Sequence, residues 1–157
     1  MDYQIRKIRE SEYSILSDFL YEAIFIPKGM EKPPRSIIEQ SELQVYIADF
    51  GKADDWCLVA EMKGKIIGAV WVRIMNDYGH IDNETPSLAI SLYNEYRHLG
   101  IGTALMKAIL QLLKEKGYKQ ISLSVQKENY AVNMYRKIGF KIVSETEEEY
   151  IMLCELQ

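Results

Sequence analysis

At 157 residues the chain has the length of one domain and can bury a substantial core. Its 48% hydrophobic and 27% charged residues are the mix of a globular protein, and a net charge of −4 with no basic block excludes the clustered positive face of a nucleic-acid binder. The longest apolar run, residues 66–72, is interrupted by Gly68 and falls far short of the ~20 residues of a membrane span. Residues 1–7 show no apolar signal core, and Cys57 and Cys154 form no spaced metal or redox motif, so a cytoplasmic, reduced protein with no membrane anchor and no metal site is expected.

Residues 3–8 alternate and read as a short first strand. Ser11 is placed to cap a following helix, whose apolar positions Leu16, Phe19, Leu20, Ala23 and Ile24 keep helical spacing. Pro27, Gly29, Pro33 and Pro34 then break the chain. Ser36 and Glu39 have capping-box spacing, so a second helix is expected from about residue 36 into the forties, ending by Gly51. Residues 56–62 and 66–75 are apolar, strand-like runs joined at Lys63-Gly64-Lys65, which predicts an antiparallel hairpin. Residues 76–84 are polar and read as a loop, and residues 86–92 as the next strand.

A long helix from about Gly100 to Lys116 carries one apolar stripe, Ile101, Ala104, Leu105, Ala108, Ile109, Leu112 and Leu113. Lys114 and Lys116 sit in its last turn and Gly117 ends it. Ile121, Leu123 and Val125 alternate with Ser122, Ser124 and Gln126 as a half-buried strand. A short helix follows over 130–138, ending at Gly139. Residues 140–145 and 150–156 form a closing hairpin across an acidic turn, 145–149, read as a solvated tip. The expectation is one domain over residues 1–157 of class α/β (α+β). It is a mixed, mostly antiparallel sheet of about seven strands flanked by about four helices, with one parallel pair across the strand–helix–strand unit at residues 86–126.

The segment Arg97-His98-Leu99-Gly100-Ile101-Gly102-Thr103 carries the most chemistry. It joins a strand to a helix, and the first-turn N–H groups of that helix have no partners within it. Together with the helix dipole they form an anion site, which glycines allow a phosphate to approach closely. The plain alternative is a turn that needs flexible backbone. A dinucleotide fold is excluded, because the position that needs a third small residue is Leu105. No Lys-Ser/Thr pair follows the glycines, so this is no nucleotide-triphosphate P-loop. A second segment runs Asn129-Tyr130-Ala131-Val132-Asn133-Met134-Tyr135-Arg136-Lys137-Ile138-Gly139-Phe140. By itself its helical Tyr135 reads as an amphipathic packing residue.

Taken together, Arg97-x-x-Gly100-x-Gly102 at a helix start and Asn129…Tyr135-x-x-x-Gly139-Phe140 some thirty residues on resemble the GNAT superfamily of N-acetyltransferases. The order of elements resembles that family along nearly the whole chain. The resemblance implies acetyl-CoA as cosubstrate. Its pantetheine arm would lie beside Ile90, Ser91 and Leu92 in place of a missing strand, with the Leu92 N–H as oxyanion donor. The backbone from Arg97 through His98, Leu99, Gly100, Ile101 and Gly102 to Thr103 would hold the pyrophosphate, and Asn129 would face the cofactor arm. Tyr135 would stand near the thioester sulfur as the acid that protonates the leaving thiolate, a role suited to a phenol of pKa ~10. The implied reaction is direct attack by a primary amine in a ternary complex. The alternative on the same fold is a non-catalytic acyl-CoA-binding or interaction module.

Two departures from the family stand out. Leu99 occupies a position that is often polar, and the strand at 86–92 lacks the carboxylate that many members use as general base. Glu84, His80 or a water chain are the expected substitutes. The stretch 26–35 is either a surface loop or a substrate lid, with Tyr21, Glu22 and Phe25 as acceptor contacts in the second case. Asp77, Asp82 and Glu84 are placed to attract a cationic amine. The closing hairpin offers an edge along which a homodimer could pair. The acceptor is a small-molecule or peptide amine.

Overall fold

A computed structural model describes residues 2–156; Met1 and Gln157, the two ends of the expected domain, lie outside the described residues. Seven strands form one sheet in the order β1-β2-β3-β4-β5-β7-β6. They are β1 (Gln4–Lys7), β2 (Trp56–Met62), β3 (Lys65–Arg73), β4 (Ser87–Leu92), β5 (Gln120–Gln126), β6 (Lys141–Glu145) and β7 (Glu149–Glu155). Four α-helices accompany them: α1 (Leu16–Glu22), α2 (Ser41–Gln44), α3 (Ile101–Glu115) and α4 (Ala131–Ile138). All strand pairs are antiparallel except β4 with β5. The expected class, strand number and helix number are those observed.

The two faces of the sheet carry separate cores. Leu58, Ala60, Val70 and Val72 pack under the α3 stripe of Ile101, Leu105, Met106, Ile109 and Leu113. Cys57, Val59, Ala69 and Trp71 pack under Leu16, Phe19 and Leu20 of α1. Strand β3 is therefore covered on both sides, which is why its sequence is a continuous apolar run. The β2–β3 turn places both Lys63 and Gly64 at positive φ, 51° and 79°, the geometry of a two-residue hairpin.

Three local expectations are corrected. The first helix opens as a 3₁₀ turn, Glu10–Ile15, and its N-terminus is closed by Glu12 rather than Ser11. Glu12 accepts from the Arg9 N–H at 2.8 Å while two Arg6 N–H groups hold its carboxylate at 2.9 and 2.8 Å. The expected second helix is a 3₁₀ turn, Arg35–Glu39, then an extended Gln40, then the single turn of α2. Two adjacent β-branched residues, Ile37 and Ile38, disfavour a helix there. Burial of Ile38 beneath α1 fixes the break, and the Gln44 side chain caps the Ile38 carbonyl at 2.7 Å. The third correction is the acidic turn: Glu149 is the first residue of β7 and is half-buried rather than solvated.

β4 and β5 pair only at Ser87↔Ser122, whereas β4 stays in register with β3 as far as Leu92, and β5 with β7 as far as Gln126↔Glu149. Each strand follows its outer neighbour, so the two part. Side chains button the point of divergence. Ser122 Oγ donates to the Gly79 carbonyl at 2.7 Å, and Ser87 Oγ donates to Asp77 Oδ1 at 2.8 Å. Gly79 is needed there, because a Cβ would lie 3.2 Å from the β5 backbone.

Candidate active site

The Tyr93 N–H donates to the Ile67 carbonyl at 3.1 Å. In an antiparallel ladder the backbone groups of residues 91, 89 and 87 then also face β3, and those of Leu92, Ile90 and Leu88 face the other way. The Pro86 carbonyl, in the same phase, accepts from the Ser122 N–H at 3.0 Å. Beyond that point no strand among the described residues meets Ile90 and Leu92 on this side, so their peptide groups line the split. Ser91 lines the larger of the two cavities along this split together with Ile90 and Leu92, while its backbone faces β3 and its hydroxyl donates to the Phe19 carbonyl at 2.6 Å, holding α1 on the sheet.

Two cavities, of about 460 and 260 Å³, open into the split. They share Ala23, Ile24, Phe25, Ile90, Asn129 and Tyr135 as walls, so they are the two ends of one passage. The larger end is bounded by Leu92, Arg97, His98, Gly100, Gly102 and Thr103. Leu99 and Ile101 line neither end: Leu99 is exposed, and Ile101 is buried in the α3 core.

The larger end is built to take an anion. α3 begins at Gly100 with φ 85°, no side chain caps it, and its first turn contains no acid, so its leading N–H groups are left for a ligand. His98 is also at positive φ, 63°, which turns the chain into the helix. Its ring stacks on Tyr130 at 5.0 Å. A Cβ on Gly102 would meet Leu92 Cδ1 at 3.5 Å and Met134 Sδ at 3.9 Å, ordinary contacts, so a side chain fits at this position in the cavity wall. The Arg97 side chain is committed to the protein. It donates to the Leu92 carbonyl at 3.1 Å and the Glu22 carbonyl at 3.0 Å, and pairs with the Glu22 carboxylate at 3.4 Å. It thereby fixes the end of β4 against α1.

At the waist, Asn129 Oδ1 caps α4 by accepting from the Ala131 N–H at 2.9 Å. Tyr135 is buried, with its ring 5.9 Å from Phe140, and lines both ends. Burial raises its pKa, with a smaller contribution from Tyr130, so its hydroxyl keeps its proton at neutral pH.

The smaller end is walled by Leu20, Leu43, Leu88, Leu123 and Val125, with Tyr46, Tyr78, Ser124, Gln126 and Glu149. Tyr46 donates to Asp77 Oδ2 at 3.0 Å, so Asp77 braces the wall and is not itself part of it. Glu84 is exposed and His80 is bonded through Nδ1 to the Met75 carbonyl at 2.8 Å; neither lines the passage. Of the expected acceptor contacts, Glu22 and Phe25 line the passage, while the Tyr21 hydroxyl donates to the Pro33 carbonyl at 2.6 Å outside it. From the stretch 26–35 only Ile26 reaches the passage. Sequence reasoning missed Glu149, hidden at the end of a run of three glutamates, 147–149; its signal was its place directly before the apolar alternation of β7.

The site thus sets unpaired strand backbone in a sheet split beside an uncapped helix start. The Acetyltransferase (GNAT) family model matches residues 17–140, and the chain belongs to that family. An N-alpha-acetyltransferase of Sulfurisphaera tokodaii is 32% identical over 62% of this chain and 68% of its own length. Human N-acetyltransferase 8B is 30% identical over 53% of this chain, which covers 37% of that longer protein. The crystal structure of PaiA N-acetyltransferase from Thermoplasma acidophilum in complex with coenzyme A superposes with a TM-score of 0.70. It covers 99% of each chain at 22% identity, a likeness of fold.

Proposed function

We propose that this chain is an acetyl-CoA-dependent N-acetyltransferase that transfers the acetyl group to a primary amine by direct attack in a ternary complex. The observation that carries this reading is the pair of adjoining cavities along the β4–β5 split, with an uncapped helix start at one end, a chamber of mixed apolar and polar walls at the other and Tyr135 in the wall they share. The residues fit the cosubstrate. The uncapped first turn of α3 at Gly100–Thr103 offers N–H donors to a pyrophosphate. The gap-facing peptide groups of Ile90 and Leu92 offer strand-like bonds to a pantetheine arm, and Asn129 lies along its course.

The Leu92 N–H faces the gap, where it can stabilise negative charge developing on the thioester oxygen. Arg97 on the Leu92 carbonyl fixes the adjoining Leu92–Tyr93 peptide at the end of β4. The amine attacks the thioester carbon, the C–N bond forms and the C–S bond breaks. Tyr135, neutral at working pH, gives its proton to the thiolate. No enzyme nucleophile is required, and Cys57 and Cys154 are both buried away from the passage.

The test is thiol release from acetyl-CoA with a panel of primary amines. Tyr135→Phe is expected to lower kcat by about a hundredfold or more while leaving coenzyme A affinity unchanged. Coenzyme A binding without turnover of any amine, together with no effect of the substitution, would convert the reading to the non-catalytic acyl-CoA-binding module. No binding of coenzyme A would remove both.

A further inference from the structure

The smaller chamber holds an acid that the cosubstrate chemistry leaves idle. Glu149 is the one carboxylate among the residues that line it. It opens β7 opposite Gln126, whose Nε2 donates to Glu149 Oε1 at 3.0 Å. Its backbone is pinned on both sides by Thr146. The Thr146 N–H donates to the Glu149 carbonyl at 2.9 Å, and the Glu149 N–H donates to Thr146 Oγ1 at 3.1 Å. The carboxylate therefore stands on a rigid turn and shares its chamber with Tyr135.

Its charge has no counterion among the described residues. Lys127, which follows the Gln126 that faces Glu149 across the sheet, pairs with Glu145 at 3.2 Å and lies over the Tyr150 ring at 5.2 Å. The other titratable groups around it are acidic or neutral: Glu148 alongside, and across the chamber Tyr46 with Asp77 behind it. Burial, reinforced by Glu148, raises the Glu149 pKa from its ordinary value. A half-buried carboxylate without a cation is costly. A bound ammonium supplies the missing charge, and the leucines and Val125 around it supply an apolar seat for the group that carries the ammonium.

We propose that Glu149 receives the ammonium of the acceptor and takes its proton, and that the acceptor is a primary amine attached to an apolar group. The proposal rests on the acetyltransferase reading. One proton passes from the ammonium to the Glu149 carboxylate, and the freed lone pair forms the C–N bond. The C–S electron pair leaves on sulfur, which takes the Tyr135 proton. Tyr135 is restored by the proton that the new amide nitrogen sheds, and Glu149 releases its own to water. The raised pKa brings the base closer to the acidity of the ammonium it must deprotonate.

The test uses the intact protein with coenzyme A bound. Phenethylamine and its uncharged counterpart phenethyl alcohol are titrated calorimetrically into wild type and Glu149→Gln, which retains an acceptor for Gln126. The wild type is expected to bind the amine at least tenfold more tightly than the alcohol, and the variant to bind the two alike, with coenzyme A affinity the same in both proteins. In turnover, kcat/KM of the variant is expected to fall about a hundredfold near pH 7, the deficit shrinking as pH rises towards the pKa of the amine. Glu149→Ala serves if the glutamine variant melts early. Equal binding of amine and alcohol by the wild type, or a preference that survives removal of the carboxylate, overturns the proposal. If the preference tracks Glu149 but no thiol is released from acetyl-CoA, the amine site stands and the acetyltransferase reading fails.

Discussion

At the scale of single residues, what a side chain does here depends on who else claims it. Arg97 belongs to the motif that marks the cradle, yet its guanidinium is spent on Leu92 and Glu22. Glu12, an ordinary surface acid by sequence, closes the first helix and pairs with Arg6, which holds its carboxyl down to about 2. In the unfolded chain the same group takes a proton near pH 4.3. Because the folded pKa is the lower one, the stability from this pair is fully present above about pH 4.5 and is lost as pH falls towards 2. Acid denaturation of Glu12→Gln is therefore expected to show a shallower loss of stability over that window than wild type, measured as urea midpoints at successive pH values.

At the scale of elements, the start of α3 decides the cosubstrate site. Its first turn has no cap and no acid, and Gly102 lies in the cavity wall there. A Glu at position 102 suits the helix dipole and improves on glycine's helix propensity, so the fold is expected to keep or gain stability. The same charge repels a pyrophosphate at close range. For Gly102→Glu, coenzyme A affinity is expected to fall at least tenfold (~1.4 kcal/mol) by calorimetry, with no decrease in Tm. Unchanged affinity would place the cradle elsewhere. β6 shows the opposite management of an end. It is an edge strand, and its register shifts between Ile142 and Ser144 with Val143 exposed, an irregularity that discourages a neighbouring strand from extending the sheet.

At the scale of the whole molecule, the sheet is two packed parts, β1–β4 and β5–β7, joined by one parallel bridge and by the helices that cross it. A ligand filling the split would tie the two parts together. Saturation with coenzyme A at about 100-fold excess over Kd is expected to add about 2.7 kcal/mol, which is roughly 5–10 °C in Tm for a domain of this size. Scanning calorimetry with and without coenzyme A measures it, and the Gly102→Glu variant should lack the shift.

The periodicity of apolar residues determined the element order and the α3 stripe, and the two spaced glycines marked the helix start, because each of these is a local rule acting over a few neighbours. The same locality made Gly100 and Gly102 visible as an anion site, whereas Asn129 and Tyr135 became candidates only through the resemblance of their segment to the GNAT family. Tertiary structure alone decided the rest. The split is a consequence of β4 and β5 each following a different neighbour, which no stretch of either strand encodes. The commitment of Ser91 to Phe19 and of Arg97 to Glu22 joins residues 72 and 75 positions apart. Glu149 became a chamber acid only because β7 inserts between β5 and β6, bringing the end of an acidic run beside Gln126 and into the wall that Tyr135 shares.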